Sequence, residues 1–227
     1  MITHRHKSDT RGYVDHGWLK ARHTFSFASY HDEKRIHFGM LRVLNDDIVE
    51  PGMGFGTHPH DNMEIVTIPI SGALEHKDSM GHIEVIKSGE IQIMSAGSGL
   101  RHSEYNHSDT ESVNLLQIWV FPKERDIEPR YDQRVFNDAG KKNKFQTVVS
   151  PDKSNQETMW INQDAYFSLA KIDERKELAY DLNNKNNGVY LFLIDGKINI
   201  DGKQFEKRDG IGIENTENIL IKAESDS

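Results

Sequence analysis

The stretch Gly56-Thr57-His58-Pro59-His60 contains a His-x-His pair, and Arg101-His102-Ser103-Glu104 contains a His-x-Glu pair. Side chains two residues apart in an extended strand point to the same face. The members of each pair therefore project together, and neighbouring strands would bring all four donors to one point. Three imidazoles and a carboxylate suit a first-row transition metal such as iron, manganese, nickel, copper or zinc. The alternative is that these histidines are exposed, or are held by hydrogen bonds in the core.

The sequence around these pairs predicts many short strands. Apolar or alternating runs occur at near-even spacing, with turn residues such as Ser71-Gly72 and Ser88-Gly89 between them. This spacing is typical of a β-sandwich or barrel, and no long stretch has the 3.6-residue apolar period of a helix. We predict an irregular connection from Phe121 to Arg134. We predict strands at Met40–Leu44, Met63–Ile70, Gly72–Asp78, Ile83–Ile86, Ile91–Met94, Val113–Val120, Tyr166–Ile172, Val189–Ile194, Lys197–Ile200, Ile211–Ile213 and Ile219–Lys222.

The chain of 227 residues has room for two consecutive β domains of roughly 100 residues each. We place the boundary near residue 140, which gives an N-terminal half, 1–140, and a C-terminal half, 141–227. All twelve histidines lie at or before His107, so within these halves only the first can hold an imidazole site. The sequence ends just after the predicted strand Ile219–Lys222, which is consistent with a C-terminal half that lacks its last strand.

The composition excludes several classes of function. The chain has no cysteine, which excludes a disulfide framework, a thiolate nucleophile and sulfur ligands. It has 28 Lys and Arg against 36 Asp and Glu, a formal net charge of −8, which makes it a poor partner for nucleic-acid phosphates. The sequence shows no signal peptide and no apolar run long enough to span a bilayer. We therefore expect a cytoplasmic monomer with no membrane contact and no direct nucleic-acid contact.

Both histidine motifs resemble those of cupin barrels, and specifically those of the pirin family. Gly52, five residues, His58-Pro59-His60, three residues and Glu64 fit the first cupin motif. The second motif, Gly99 to Glu104, is similar to the pirin variant, with Ser95 where cupins usually have proline. The likeness is greatest to bacterial pirin-like proteins with quercetin 2,3-dioxygenase activity. Further pirin-like stretches are His16-Gly17-Trp18-Leu19, His23-Thr24-Phe25-Ser26-Phe27, Glu75-His76-Lys77-Asp78-Ser79, Gln117-Ile118-Trp119 and Pro129-Arg130-Tyr131.

The resemblance implies an all-β protein of two consecutive cupin (jelly-roll) barrels, with the metal site in the N-terminal barrel only. It implies one divalent metal held by His58, His60, His102 and Glu104, with Fe(II) expected and manganese, nickel, copper or zinc as alternatives. It implies a dioxygenase that opens flavonols such as quercetin with O2 and releases carbon monoxide. Glu104 would also take the proton of the substrate hydroxyl. Two other functions stay open: a metal-binding regulatory protein that acts through protein partners, and a cupin with an unrelated small-molecule substrate.

Two glutamates compete for the carboxylate position in the centre. Glu64 has the usual cupin position, and in an unbroken strand it would lie on the same face as His58 and His60. However, Pro59 and the polar Asp61-Asn62 pair interrupt that strand. Glu104 lies one pleat repeat from His102, and the pirin resemblance implies that Glu104 is the ligand. Glu64 would then accept a hydrogen bond from a ligand histidine, or form a salt bridge.

Two further groups of residues have alternative interpretations. His76 and Asp78 share a strand face, so they either form an inward-facing dyad or satisfy local turns and neighbouring strands. The other group consists of large side chains that either wall an aromatic pocket or pack in the core: Trp18, His23, Phe25, Phe27, Met94 and Trp119.

Overall fold

The structure, a computed structural model, describes residues 1–184 and 186–227. Its regular secondary structure is almost entirely strand, and the described residues add only a 3-10 helix at Ser8–Thr10 and one helical turn, α1 (Asp138–Lys141), so the all-β prediction is confirmed. In chain order the strands are β1 (Ile2–His6), β2 (Gly12–Asp15), β3 (Leu19–His23), β4 (Leu41–Val49), β5 (Gly54–His60), β6 (Glu64–Ser71), β7 (Ala73–Asp78), β8 (Ile83–Lys87), β9 (Glu90–Ser95), β10 (Leu100–Asn106), β11 (Val113–Val120), β12 (Arg130–Val135), β13 (Gln146–Ser150), β14 (Met159–Trp160), β15 (Phe167–Leu169), β16 (Glu177–Asp181), β17 (Val189–Phe192), β18 (Lys197–Ile200), β19 (Lys203–Glu206), β20 (Gly210–Glu214) and β21 (Asn218–Ala223).

Two of the predicted segments differ from the structure for identifiable reasons. The prediction of an irregular connection up to Arg134 is wrong, because β12 pairs with β9 from Arg130 opposite Ser95 onwards. β12 is an edge strand with half-buried polar side chains, so it lacks the apolar pattern of a central strand. β4 continues beyond Leu44 through the buried polar residues 45–47, which an apolar pattern cannot predict.

The chain folds into two compact units built from interleaved segments. The N-terminal unit consists of Gly12–Phe136 and Val149–Ala165, and the C-terminal unit consists of Met1–Arg11, Asn137–Val148 and Tyr166–Ser227. The domain boundary near residue 140 stays a prediction.

The N-terminal unit is a sandwich of two antiparallel sheets. One sheet has seven strands in the order β12-β9-β6-β11-β4-β3-β2, and the other has four in the order β5-β10-β7-β8. An apolar cluster joins Leu74 and Ile86 of the smaller sheet to Leu19, Val49 and Leu115 of the larger one, so the two sheets face each other across a shared interior. In the smaller sheet β10 lies between β5 and β7, whereas β5 lies at the edge.

The C-terminal unit has an interior of apolar side chains. Its sheets have the strand orders β1-β20-β17 and β16-β21-β18-β19, and the N-terminal strand β1 pairs with β20 with Thr3 opposite Ile213. Its core contains Phe205, Ile211 and Ile221 among other buried aliphatic residues. The expectation that this half lacks its last strand stays a prediction. Among the described residues, no helix combines the length and the apolar character that a bilayer crossing needs.

Candidate metal centre

Strands β5 and β10 place the two sequence motifs side by side. The strands are antiparallel, with His102 opposite His58 and Leu100 opposite His60. A bulge between His102 and Glu104 shifts the register at this point, which is a common way of aiming a side chain at a site. Gly54 permits the close approach, because a side chain there would collide with the Glu104 carbonyl and the Tyr105 backbone.

Three imidazole rings converge at this crossing. The ring centroids of His58 and His102 lie 4.4 Å apart, those of His60 and His102 4.8 Å, and those of His58 and His60 4.9 Å. One ring nitrogen from each histidine lies within 4.8 Å of the other two. The fold therefore brings the three rings together, with His58 and His60 partly exposed and His102 buried.

The hydrogen bonds of the rings direct lone pairs towards a common point. Nδ1 of His58 donates to the Gly56 carbonyl at 2.8 Å, which leaves Nε2 of His58 as the lone-pair nitrogen. That nitrogen lies 3.0 Å from Nε2 of His102. Two nitrogens bound at about 2.1 Å to one ion, at right angles, are about 3.0 Å apart. The donors present therefore fit a transition-metal ion.

Burial keeps two of these rings neutral. Burial, followed by repulsion between neighbouring rings that would both be positive, lowers the pKa of His60 to about 4 and that of His102 to about 3. The negative charge of Glu104 acts on His60 in the opposite direction. At neutral pH these rings carry the lone pairs that a metal requires.

The metal-free protein is expected to lose stability as the pH falls below about 6.5. The unfolded chain takes up protons on these histidines near their ordinary pKa of 6.5, whereas the folded chain keeps His60 neutral to about 4 and His102 to about 3. The contribution of His60 and His102 to the free energy of unfolding is fully present above about pH 6.5, and it is lost progressively as the pH falls to their pKa values in the folded protein. Melting temperatures of metal-free protein between about pH 7.5 and about pH 4.5 measure this. In the variant His60→Gln the acid-induced drop should be smaller, and an equal drop in both proteins would contradict the prediction.

Glu104 lies in the interior between the two sheets and is held by a glutamine. Nε2 of Gln117, on β11, donates to both carboxylate oxygens, at 2.9 and 3.2 Å. The Gln117 carbonyl oxygen accepts a bond from the Thr67 hydroxyl at 3.0 Å, which fixes the direction of the amide. Glu104 is 3% exposed and lies within 4.8 Å of ring nitrogens of His76 and His102. A buried carboxylate is therefore oriented beside the imidazole cluster.

Glu64 belongs to a different part of the molecule. β5 ends at His60, and Glu64 begins β6 in the other sheet. The expectation that Glu64 shares a strand face with His58 and His60 is therefore wrong. Its carboxylate accepts bonds from the Ser95 hydroxyl at 2.8 Å and the Asn162 amide at 3.1 Å. Burial raises the pKa of Glu64 above its ordinary value, and these bonds together with the charge of Arg130 offset only part of that rise. Glu64 thus anchors the segment 149–165 within the N-terminal unit.

The large candidate side chains differ in their neighbours, and Trp119 packs against the apolar cluster that contains Ile65 and Met94 as well as against His60. Trp119 meets the ring of His60 edge-on at 4.9 Å and that of Phe27 at 5.3 Å, and its indole N–H is buried without a hydrogen-bond partner in the described chain. Phe25 and Met94 are buried core residues. Trp18 packs against Phe55 next to the apolar cluster between the sheets.

Sequence reasoning missed the roles of Gln117 and Thr67. Gln117 lies in the strand Val113–Val120, and Thr67 lies opposite it in β6. The signal available in the sequence is a polar side chain in the middle of each of two mostly apolar strands. Such a residue is costly to bury unless it is hydrogen-bonded, so its position in a core strand indicates a partner.

Comparison with known proteins identifies the family of this chain. Residues 4–120 match the family model Pirin. The chain belongs to the pirin family. Residues 147–227 match the model of the quercetinase C-terminal cupin domain, so the predicted pirin resemblance and two-cupin architecture are confirmed.

Curated pirins and solved pirin structures match over nearly the whole chain. The quercetin 2,3-dioxygenase of Escherichia coli is 43% identical over 221 residues, which cover 97% of this chain and 94% of the relative. A pirin-like protein of Caulobacter vibrioides is 38% identical and covers 96% of this chain and 94% of its own length. The crystal structure of YhhW from Escherichia coli has a TM-score of 0.94 at 41% identity, covering 100% of this chain and 94% of that one. The structure of the bacterial pirin YhhW from Escherichia coli in complex with nickel(II) has a TM-score of 0.93 at 41% identity, and the match covers 100% of this chain and 96% of that one.

Proposed function

We propose that this pirin is a metal-dependent dioxygenase that opens flavonols such as quercetin with O2 and releases carbon monoxide. The observation that carries the proposal is the convergence of three imidazoles, two of them kept neutral by burial, beside a carboxylate held by hydrogen bonds. Relatives that match nearly the whole chain and are named quercetin 2,3-dioxygenase support the substrate class.

His58, His60, His102 and Glu104 are the proposed ligands, in the N-terminal barrel only. A divalent ion is supported by the donor set and by the nickel complex of the relative, and we propose Fe(II) as the working ion. When bound, such an ion supplies the positive charge that stabilises an ionised substrate hydroxyl and a place for O2 beside it.

The protein's own groups prepare the substrate. The proposed role of Glu104 is to accept the proton of the flavonol hydroxyl, because it is a buried carboxylate beside the rings. Gln117 and Thr67 keep that carboxylate facing the centre. Trp119 and Phe27 offer aromatic faces on the His60 side, which suit a flat aromatic substrate and exclude water.

Turnover of quercetin under defined gas tests the proposal. Metal-free protein, produced without a His tag and reloaded with Fe(II), is incubated with quercetin in air and under nitrogen. We expect loss of quercetin absorbance and formation of carbon monoxide in air alone. Loaded protein that consumes no quercetin in air would reject the dioxygenase proposal and favour the regulatory or unrelated-substrate alternatives.

Replacing Gln117 by leucine is expected to lower quercetin turnover about 10- to 100-fold. The change removes the donor that both oxygens of Glu104 share, so the carboxylate is left buried and free to rotate. Thr67→Val should also lower turnover, but by less, because it removes only the hydrogen bond to the carbonyl oxygen of the Gln117 side chain. Asn199→Leu, in β18 of the C-terminal unit, is the matched control. Turnover by Gln117→Leu equal to that of the parent, at equal metal content, would contradict this role.

A further inference from the structure

We propose that Asp78 and His76 position the ring of His102 for the metal. The three residues form a hydrogen-bonded series, Asp78–His76–His102, that ends at the proposed ligand. Both residues lie on β7 beside β10, where Asp78 is opposite His102 and His76 is opposite Glu104. The proposal rests on the proposed metal centre and deepens it, since it assigns positioning residues to one of its ligands.

The series is continuous and buried. Nε2 of His76 lies 3.2 Å from a carboxylate oxygen of Asp78, and Nδ1 of His76 lies 3.5 Å from Nδ1 of His102. The side chains of His76 and Asp78 have no exposed surface, and His102 is 2% exposed. Water therefore does not satisfy the two ring nitrogens of His76 or Nδ1 of His102, so these three nitrogens depend on partners within the series.

The direction of the hydrogen bonds follows from the carboxylate. Asp78 can only accept while it is ionised, so Nε2 of His76 must donate to it. An imidazole in its neutral form has one donor and one acceptor, and the proposal takes His76 in that form, with the lone pair on Nδ1. His102 then donates from its own Nδ1, and its lone pair is left on Nε2, which lies 3.0 Å from Nε2 of His58. The charge of Asp78 thus selects the tautomer of a ligand two residues further along the series.

Asp78 is itself fixed by the turn that follows β7. One carboxylate oxygen accepts bonds from the backbone amides of Met80 and His82, at 2.9 and 3.1 Å, and the other accepts a bond from the ring of His82 at 2.9 Å. The phenol ring of Tyr131 lies 4.9 Å from the rings of both His76 and His82. These contacts hold the series in one orientation, as hydrogen-bonded partners of metal ligands commonly do.

A competing arrangement would make His76 a ligand itself. His76, His102 and Glu104 also offer three donor atoms within 4.8 Å of one another. An ion there would need Nδ1 of His102, the nitrogen that donates to His76 in the series. All three side chains are buried, whereas His58 and His60 are partly exposed and give an ion access from solvent. The geometry therefore favours His76 as a support for the centre.

Nickel(II) titration calorimetry of metal-free variants tests the proposal. His76→Phe keeps a ring against Tyr131 but removes the nitrogens, and Asp78→Asn keeps the turn acceptor but removes the charge. For both variants we expect nickel affinity to fall about 10- to 100-fold. His76→Gln, which can accept from His102 and donate to Asp78, should restore most of the affinity. His31→Phe, which replaces an exposed histidine outside the series, is the matched control.

Nitrogen NMR of histidine-labelled, metal-free protein gives a readout that does not depend on metal binding or on turnover. In the parent protein we expect His102 to carry its proton on Nδ1, and in Asp78→Asn we expect that proton to redistribute. The proposal is overturned if His102 carries its proton on Nε2 in the parent. It is also overturned if folded His76→Phe and Asp78→Asn bind nickel as the parent does, or if His76→Phe abolishes binding while Asp78→Asn leaves it intact, which would make His76 a ligand. If the parent binds no nickel, the proposed centre fails, and the tautomer still decides this inference.

Discussion

Replacing His102 by alanine is expected to abolish both tight metal binding and quercetin turnover. His102 is the ring that both neighbours share, since it lies 3.0 Å from Nε2 of His58 and its ring centroid lies 4.8 Å from that of His60. The variant leaves His58, His60 and Glu104 and removes the ring that lies between the β5 pair and the carboxylate, so the affinity should fall by at least about 100-fold. Elemental analysis of protein loaded with iron or nickel and then freed of excess metal gives the direct measurement.

The control for this variant is His16→Ala, which removes an exposed histidine far along the sequence from either motif. It should keep the parent's metal content and activity. Stoichiometric metal in folded His102→Ala would show that the ion binds elsewhere, and would remove the basis for the proposed centre.

Replacing Glu64 by alanine is expected to cost about 3 kcal/mol of unfolding free energy, the largest stability effect that we predict for a single residue. The carboxylate is 1% exposed, and its loss leaves the Ser95 hydroxyl and the Asn162 amide without their acceptor. It also removes one of the two carboxylates whose charge acts on the guanidinium of Arg130, the other being Asp132. Urea unfolding of the metal-free protein measures the difference.

Glu64→Gln keeps an acceptor for both donors and should lose less stability than the alanine variant. Metal content per folded molecule should stay at the parent level in both variants. A Glu64→Ala protein that is as stable as the parent but loses its metal would reverse the assignment, and would make the residue at the usual cupin position a ligand.

The strand content of this pirin could be predicted because turn residues interrupt short apolar runs. β11 and β18 begin and end where the apolar pattern does. β12 and the polar part of β4 could not be found in this way, because one is a half-exposed edge strand and the other buries Asn45 to Asp47. Burial of polar residues depends on partners from distant parts of the chain, which a local pattern does not contain.

The imidazole cluster could be predicted because both motifs place their donors two residues apart, and alternation on a strand then decides which side chains share a face. The supporting residues could not be assigned in the same way. Gln117 reaches Glu104 from the opposite sheet, and His76 reaches His102 from a neighbouring strand. Pairing of β10 with β7, and stacking of β11 over β10, are properties of the folded chain.

The position of β5 links metal loading to the surface of the molecule. This strand carries two of the four proposed ligands and has β10 as its strand neighbour, with its other edge unpaired in the described part of the chain. An ion that binds the closed arrangement and not the loosened one stabilises the outer strand by mass action. Occupancy of the proposed centre would therefore set the rigidity of this backbone edge.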